Sequence, residues 1–271
     1  MKKKILSIIL SVVTVVSALS VGSMTAFAGG WADTAKSVKL NTTYTESAET
    51  TDVKLGNYYY DAVKFTVPAK GKINIRLTSE NYYYTNNNID SGFHDILCFS
   101  IYKATDLQNK IYYSDTRWTD GGYISAYDYY YIDYNVNLSK DTYYLVFSYQ
   151  CDDVTSEIFA GSFDYRLSYT PSFSNTSISK VTPLKKSFKV NWKNCANVSG
   201  YQIQYSTNKS MKNAKKVTVK GSKYYARTIK NLKGKKKYYV RVRTYKVVKV
   251  NGKNKTYYGK WSSKKAVTTK K

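Results

Sequence analysis

The stretch "YYVRVRTYKVVKVNGKNKTYYGKW", residues 238–261, decides the fold of the C-terminal part of the chain. Its first residues alternate: Tyr238, Val240 and Val242 fall on one face of an extended strand, Tyr239, Arg241 and Arg243 on the other. A period of two sends successive side chains to opposite faces of a sheet, so the apolar set packs on a core and the basic set meets water. Asn251-Gly252 then reads as a two-residue hairpin turn, because both residues tolerate positive φ. The stretch holds seven Lys and Arg, six aromatic rings and no acidic side chain. It is therefore either a surface built to hold something negative or an ordinary strand pair with basic outward positions.

The neighbouring sequence extends the pattern. "KSFKVNWK" places Phe188, Val190 and Trp192 against Lys189, Asn191 and Lys193, and "GYQIQYS" places Tyr201, Ile203 and Tyr205 inward with Gln202 and Gln204 outward. "KKVTVK" adds Val217 and Val219. Short alternating strands divided by Gly, Asn and Lys turns predict an antiparallel β-sandwich. A Trp in the second strand (Trp192), "SGYQIQYS" in the third, Leu232 six residues before Tyr238 in "NLKGKKKYYVRV", and "YYGKWSS" opening the last strand together resemble a fibronectin type III domain over about residues 177–269. The resemblance implies an immunoglobulin-like sandwich in which Leu232 and Tyr238 form the tyrosine corner, so these two and Trp192 are assigned to structure. It does not imply integrin binding, since no Arg-Gly-Asp occupies the turn at Asn251-Gly252. The lysine-heavy style is similar to the fibronectin modules of secreted Gram-positive bacterial proteins, which act as spacers or surface-associated modules. In such a sandwich the strand of Gln202 and Gln204 neighbours that of Tyr239, Arg241 and Arg243, forming a polar, basic face with an aromatic ring on it. That face is the candidate for an anionic polymer.

Charge divides the chain. Residues 177–271 carry 28 Lys and Arg and no Asp or Glu, whereas residues 29–176 carry 12 Lys and Arg against all 18 acids. The whole chain of 271 residues has a formal net charge of +25. A solubilising surface does as well with mixed signs, so an acid-free module of this length predicts affinity for polyanions.

At the N-terminus, Met1-Lys2-Lys3-Lys4, an apolar run from Ile5 to Val21 and Ala26-Phe27-Ala28 follow the order of a secretory signal peptide. The expected organisation is a signal at 1–28, a first domain at 29–170, a linker at 171–176 that allows limited hinge motion, and a second domain at 177–271. No second apolar stretch follows, so no transmembrane anchor is expected in the mature chain, and its expected location is secreted, held at a cell surface only by noncovalent contacts.

The first domain also reads as β. "YYYDAVKFTVPAKGKINIRLTS" gives strands around Ala62 to Val67 and Lys72 to Leu77 joined by Pro68-Ala69-Lys70-Gly71, and "DILCFSIYKA", "DTYYLVFSYQ" and "GSFDYRLSYT" supply three more. The predicted class is all-β, two β-sandwich domains, the first jelly-roll-like. A "YDAVKFTVPAKGKINIRL" hairpin, the "DILCFSIYKA" strand, "SKDTYYLVFS" and a closing "FDYRLSYT" loosely resemble the bacterial pre-peptidase C-terminal-type domain, a relative of carbohydrate-binding sandwiches. Two features depart from it: Lys140-Asp141 stands where that family has glycine, and the segment from Tyr112 to Tyr134 is unusually rich in tyrosine. The resemblance implies polysaccharide binding rather than catalysis.

Tyrosine is the outstanding residue, 30 in all, with triplets at Tyr58-Tyr59-Tyr60, Tyr82-Tyr83-Tyr84 and Tyr129-Tyr130-Tyr131. Alternate members of a triplet in a strand face opposite sides, and exposed rings stack on sugars at low entropic cost. A tyrosine can equally serve as a half-buried strand residue. The densest group, Trp118, Tyr123, Tyr127, Tyr129, Tyr131 and Tyr134, is the candidate glycan platform.

Catalytic chemistry is sparse. The one histidine, His94, lies beside Asp95 without a GxSxG elbow. Asp152, Asp153 and Glu157 are oxygen donors at a spacing that matches no calcium loop, so no metal is assigned, and no cofactor motif is present. Cys98, Cys151 and Cys195 are too few for a disulfide framework, although export permits a Cys98–Cys151 bridge. The expectation is a noncatalytic exported binding protein whose partners are a polysaccharide or anionic cell-wall polymer and other surface proteins, with no nucleic acid as physiological partner. A secreted hydrolase using N-terminal carboxylates and a structural adhesion component without glycan preference are the alternatives.

Overall fold

The computed structural model describes residues 31–48, 53–55, 58–80, 98–114, 129–150 and 161–271. The expected signal peptide, the Tyr82 triplet, His94, Asp95, Cys151, Asp152, Asp153 and Glu157 lie outside the described residues. The chain divides into two compact units, Met1–Thr170 and Pro171–Lys271. Both are built of β-strands, as the alternating patterns predict.

The first unit contains β1 (Lys36–Ser37), β2 (Thr43–Ala48), β3 (Val53–Leu55), β4 (Tyr58–Val67), β5 (Gly71–Glu80), β6 (Cys98–Lys103), β7 (Asp106–Ser114), β8 (Tyr129–Leu138), β9 (Asp141–Gln150) and β10 (Gly161–Pro171). One sheet runs β1-β4-β9-β6-β7, with β3 also on β4; the other runs β2-β10-β5-β8. The sheets meet through aromatic rings: Phe147 of β9 lies 4.9 Å from Phe163 and 5.1 Å from Tyr165 of β10, and Phe99 of β6 lies 6.1 Å from Tyr134 of β8. Val63, Phe65, Ile73, Ile75 and Leu145 fill the space between.

Two findings differ from the sequence reading. The Pro68–Gly71 turn does not close a hairpin, because β4 and β5 belong to different sheets. It is an arch over the edge of the sandwich, and Ser139-Lys140 between β8 and β9 makes a second one. Tight-turn residues set local φ and ψ and do not choose the strand's partner. The second finding is a helical turn at residues 31–34 that covers the outer face of the first sheet. Its Trp31 packs 5.3 Å from Tyr102 and 5.4 Å from Tyr144, over Ala62 and Val146. β9 is therefore buried on both faces along Tyr143–Phe147, which is why "YYLVF" reads as a continuous apolar run.

The second unit contains β11 (Ile178–Leu184), β12 (Ser187–Trp192), β13 (Gly200–Ser206), β14 (Lys215–Lys220), β15 (Ala226–Ile229), β16 (Lys237–Val250), β17 (Lys253–Tyr258) and β18 (Lys265–Thr268). Its sheets run β11-β12-β15 and β14-β13-β16-β17, with β18 also on β16. This two-sheet order, the first, second and fifth strands in one sheet and the third, fourth, sixth, seventh and last in the other, is that of a fibronectin type III-like sandwich. The expected inward residues form the core: Phe188, Val190 and Trp192 from one sheet, Tyr201, Ile203, Tyr238, Val240 and Val242 from the other. Leu232 packs partly buried against it, and the Lys233 backbone N–H donates to the Tyr238 hydroxyl at 3.2 Å, giving the tyrosine corner its bond. The Trp192 indole N–H donates to the Tyr224 carbonyl at 3.1 Å. Asn251 (φ 49°) and Gly252 (φ 81°) form the turn between β16 and β17, with Val250 opposite Lys253. Cys195 is a buried free thiol.

The residues expected as a linker are tied into the second unit. Thr244 Oγ1 donates to the Ser174 carbonyl at 2.8 Å, the Lys260 N–H donates to Asn175 Oδ1 at 2.8 Å, and Thr176 Oγ1 donates to the Lys193 carbonyl at 2.6 Å. Pro171 ends β10.

Candidate functional site

The basic face forms because β13 and β16 pair antiparallel with Gln204 opposite Arg241, Gln202 opposite Arg243 and Ser206 opposite Tyr239. The five residues named from sequence therefore share one face. Arg241 Nε donates to Gln204 Oε1 at 2.7 Å, and Arg243 donates to Gln202 Oε1 through Nε at 3.0 Å and Nη2 at 2.7 Å. The glutamines are outward in register yet buried, at 8% and 9% exposure, because the guanidinium groups lie over them. β14 continues both rungs with exposed Lys216 opposite Gln204 and exposed Thr218 opposite Gln202.

Sequence reasoning missed the other half of the site. β17 leaves the sheet after Tyr258, and the last strand begins at Lys265, so "YYGKWSS" spans a strand end and a connection rather than opening a strand. Along that connection the Gly259 N–H donates to the Thr244 carbonyl at 3.0 Å and the Ser262 N–H to the Val242 carbonyl at 2.8 Å, keeping the backbone against β16. This holds Trp261 over both arginines, with Cζ of Arg241 at 4.7 Å and Cζ of Arg243 at 4.3 Å from its ring centre. Tyr258 covers Arg243 from its side at 3.8 Å. The signal available in sequence was an acid-free run with rings near arginines. What it lacked was the strand exit at Gly259.

Guanidinium groups against aromatic faces, one ring for Arg241 and two for Arg243, gain cation–π attraction, and their Nε bonds fix the plane. Burial pulls the Arg243 pKa down, the Arg241 charge adds to that, and Tyr258 opposes it. Arginine begins so high that the group stays charged at neutral pH. Tyr239 lies beside the ladder with Lys237 Nζ at 5.7 Å from its ring.

Of the candidate glycan platform, Trp118, Tyr123 and Tyr127 lie outside the described residues. Tyr129 and Tyr131 stand in β8 opposite Glu80 and Thr78, in register positions of the same parity as Asp133. Tyr134 has the opposite parity, pairs with Ile75 and meets core Phe99, so its ring belongs to the interior side of the sheet. Among the described residues no group of His, Cys, Asp and Glu is arranged to hold a metal ion, and no helix is long and apolar enough to cross a membrane.

No family profile and no curated protein matches the chain in sequence. Solved structures similar to it include the fn3 domain of human contactin 1 (19% identity, 44% of this chain and 90% of that one, TM-score 0.30) and an Fn3-like protein from Clostridium thermocellum (15% identity, 37% and 95%, TM-score 0.24). A beta-1,2-glucanase from Parabacteroides distasonis matches at 9% identity over 88% of this chain and 38% of that one, TM-score 0.29. Its strand order and tyrosine corner make the second unit fibronectin type III-like.

Proposed function

We propose that this chain is an exported, noncatalytic binding protein that attaches to an anionic polymer at a cell surface through its C-terminal sandwich and presents the N-terminal sandwich as a glycan-binding or partner-binding module. The observation that carries the reading is the C-terminal unit's charge pattern: 28 Lys and Arg and no acidic side chain over residues 177–271, with two arginines bonded to uncharged glutamine oxygens rather than to carboxylates. A fibronectin type III-like sandwich holds its outer faces on two hydrogen-bonded sheets over one core, which suits a spacer or attachment module. For the N-terminal unit, support comes from the tyrosine density and the likeness to pre-peptidase C-terminal-type domains read in its strands; a secreted Gram-positive bacterial setting is likewise part of the proposal.

The test is co-sedimentation of the chain from Gly29 with insoluble polysaccharides and with purified Gram-positive cell wall, at low and high salt. Wall binding released by salt supports attachment through charge. Glycan binding that persists in salt supports the N-terminal role. Hydrolysis of any of these polysaccharides contradicts the noncatalytic reading.

A further inference from the structure

We infer that the Arg241–Arg243 ladder is a preformed site for a linear polymer of phosphodiesters joined by short polyol linkers, a specific site within the general attachment role and resting on it. Three observations lead there. The guanidinium groups are locked: each Nε is committed to a glutamine oxygen, and Trp261 and Tyr258 fix the planes. Both terminal nitrogens of Arg241 and Nη1 of Arg243 meet no acceptor among the described residues. Finally, no acidic side chain occurs in residues 177–271, so the paired charges have no countercharge of their own in this unit.

Each feature narrows the ligand. Two like charges held side by side over buried amides favour a ligand that brings an anionic group to each of them. A guanidinium edge with parallel N–H groups matches the paired oxygens of a phosphate, whereas an ammonium acts as a point charge. Arg241 and Arg243 stand at i and i+2 of one strand, about 7 Å apart along it, so they meet successive charges of a polymer rather than one small ion. Phosphodiesters separated by a linker of a few atoms recur on this length scale. Lys216 on the rung of Arg241 and Lys220 opposite Gly200 extend the cationic line across the sheet. The ring faces of Trp261 and Tyr258 that meet the guanidiniums are already occupied, which disfavours ligands that need stacking there, such as nucleobases.

The experiment compares poly(glycerol phosphate) with poly-L-glutamate of similar charge, at one ionic strength, on the chain from Gly29. In the charge-conserving double variant Arg241→Lys/Arg243→Lys, affinity for the phosphodiester polymer should fall by about tenfold or more while polyglutamate binding changes by less than about twofold. Loss of Lys189 and Arg227 charge on the opposite sheet, by Lys189→Gln/Arg227→Gln, should weaken both polymers to the same modest extent. Equal effects of the arginine-to-lysine change on both polymers, or none, overturn the site while leaving charge attachment intact. Failure of the unaltered chain to bind either polymer at low salt overturns the site and the attachment reading together. Should the double variant not fold, the Nε–H resonances of Arg241 and Arg243 and the Trp261 indole N–H answer the same question in the unaltered protein. Their shift on adding poly(glycerol phosphate), with Arg227 unmoved, supports the site; shifts spread over the surface without them overturn it.

Discussion

Gly259 shows how one residue can hold a site together. A Cβ placed there would lie 2.5 Å from Thr244 Oγ1 and 2.6 Å from Asn175 Oδ1, closer than such atoms approach. Both neighbours are engaged, Thr244 with the Ser174 carbonyl and Asn175 with the Lys260 N–H, so neither can yield freely. Gly259→Ala should therefore cost about 1–3 kcal/mol and also weaken polymer binding, because the displaced segment carries Trp261. Calorimetry and a binding titration on the same sample check both halves. Tyr238→Phe separates stability from binding: it keeps the ring in the core and removes the acceptor of the Lys233 N–H. A loss of about 1 kcal/mol with unaltered polymer affinity is expected. Tyr238 and Leu232 were legible as a structural pair from their spacing, whereas Gly259 in "YYGKW" looked like any turn glycine. Its role depends on Asn175, 84 positions away in sequence, being brought beside it.

Among the elements, the β16–β17 hairpin tests the turn assignment. Nothing lies within 4 Å of a Cβ at Gly252, so Gly252→Val would be penalised by the backbone alone, at φ 81°. The expected loss is about 1–2 kcal/mol in thermal unfolding, with the core unchanged. Strands β12, β13 and β16 were readable because one face of each meets a core and the other meets water or polar partners. The arches at Pro68–Gly71 and Ser139-Lys140 were not, since a tight turn between two alternating strands has the same composition whether the strands pair or separate into two sheets. The helical turn at 31–34 also escaped notice: its only strong signal is one indole ring. Trp31→Ala should remove that cover from Tyr102, Tyr144, Ala62 and Val146 and cost about 3 kcal/mol or more in the first unit's unfolding transition. Polymer binding should be unaffected if it resides in the second unit.

For the whole molecule, the uneven distribution of acids predicts two pH responses. In the first unit Lys103 bonds Asp141 and holds its carboxyl below the usual range, and the Asn109 side chain does the same for Asp106. A depressed folded pKa gives stability that is present above the ordinary carboxylate value near 4 and is lost as pH falls through the folded value. The second unit has no acidic side chain to protonate. Burial raises the pKa of its Tyr201, Tyr205, Tyr245 and Tyr257, so their contribution is present below about pH 10 and lost as pH climbs beyond it. Calorimetry should show the first unit's transition falling as pH drops below about 4 while the second unit's stays level from pH 3 to pH 9. The same acid-free composition underlies the proposed anchoring of the chain to an anionic polymer by its C-terminal sandwich. The most direct test is retention of the chain from Gly29 on Gram-positive cell wall before and after its phosphodiester polymers are stripped, across a salt series. Retention on intact wall should fall steeply with salt and be lost on stripped wall; equal retention on both, independent of salt, would mean that the sandwich does not anchor through these polymers.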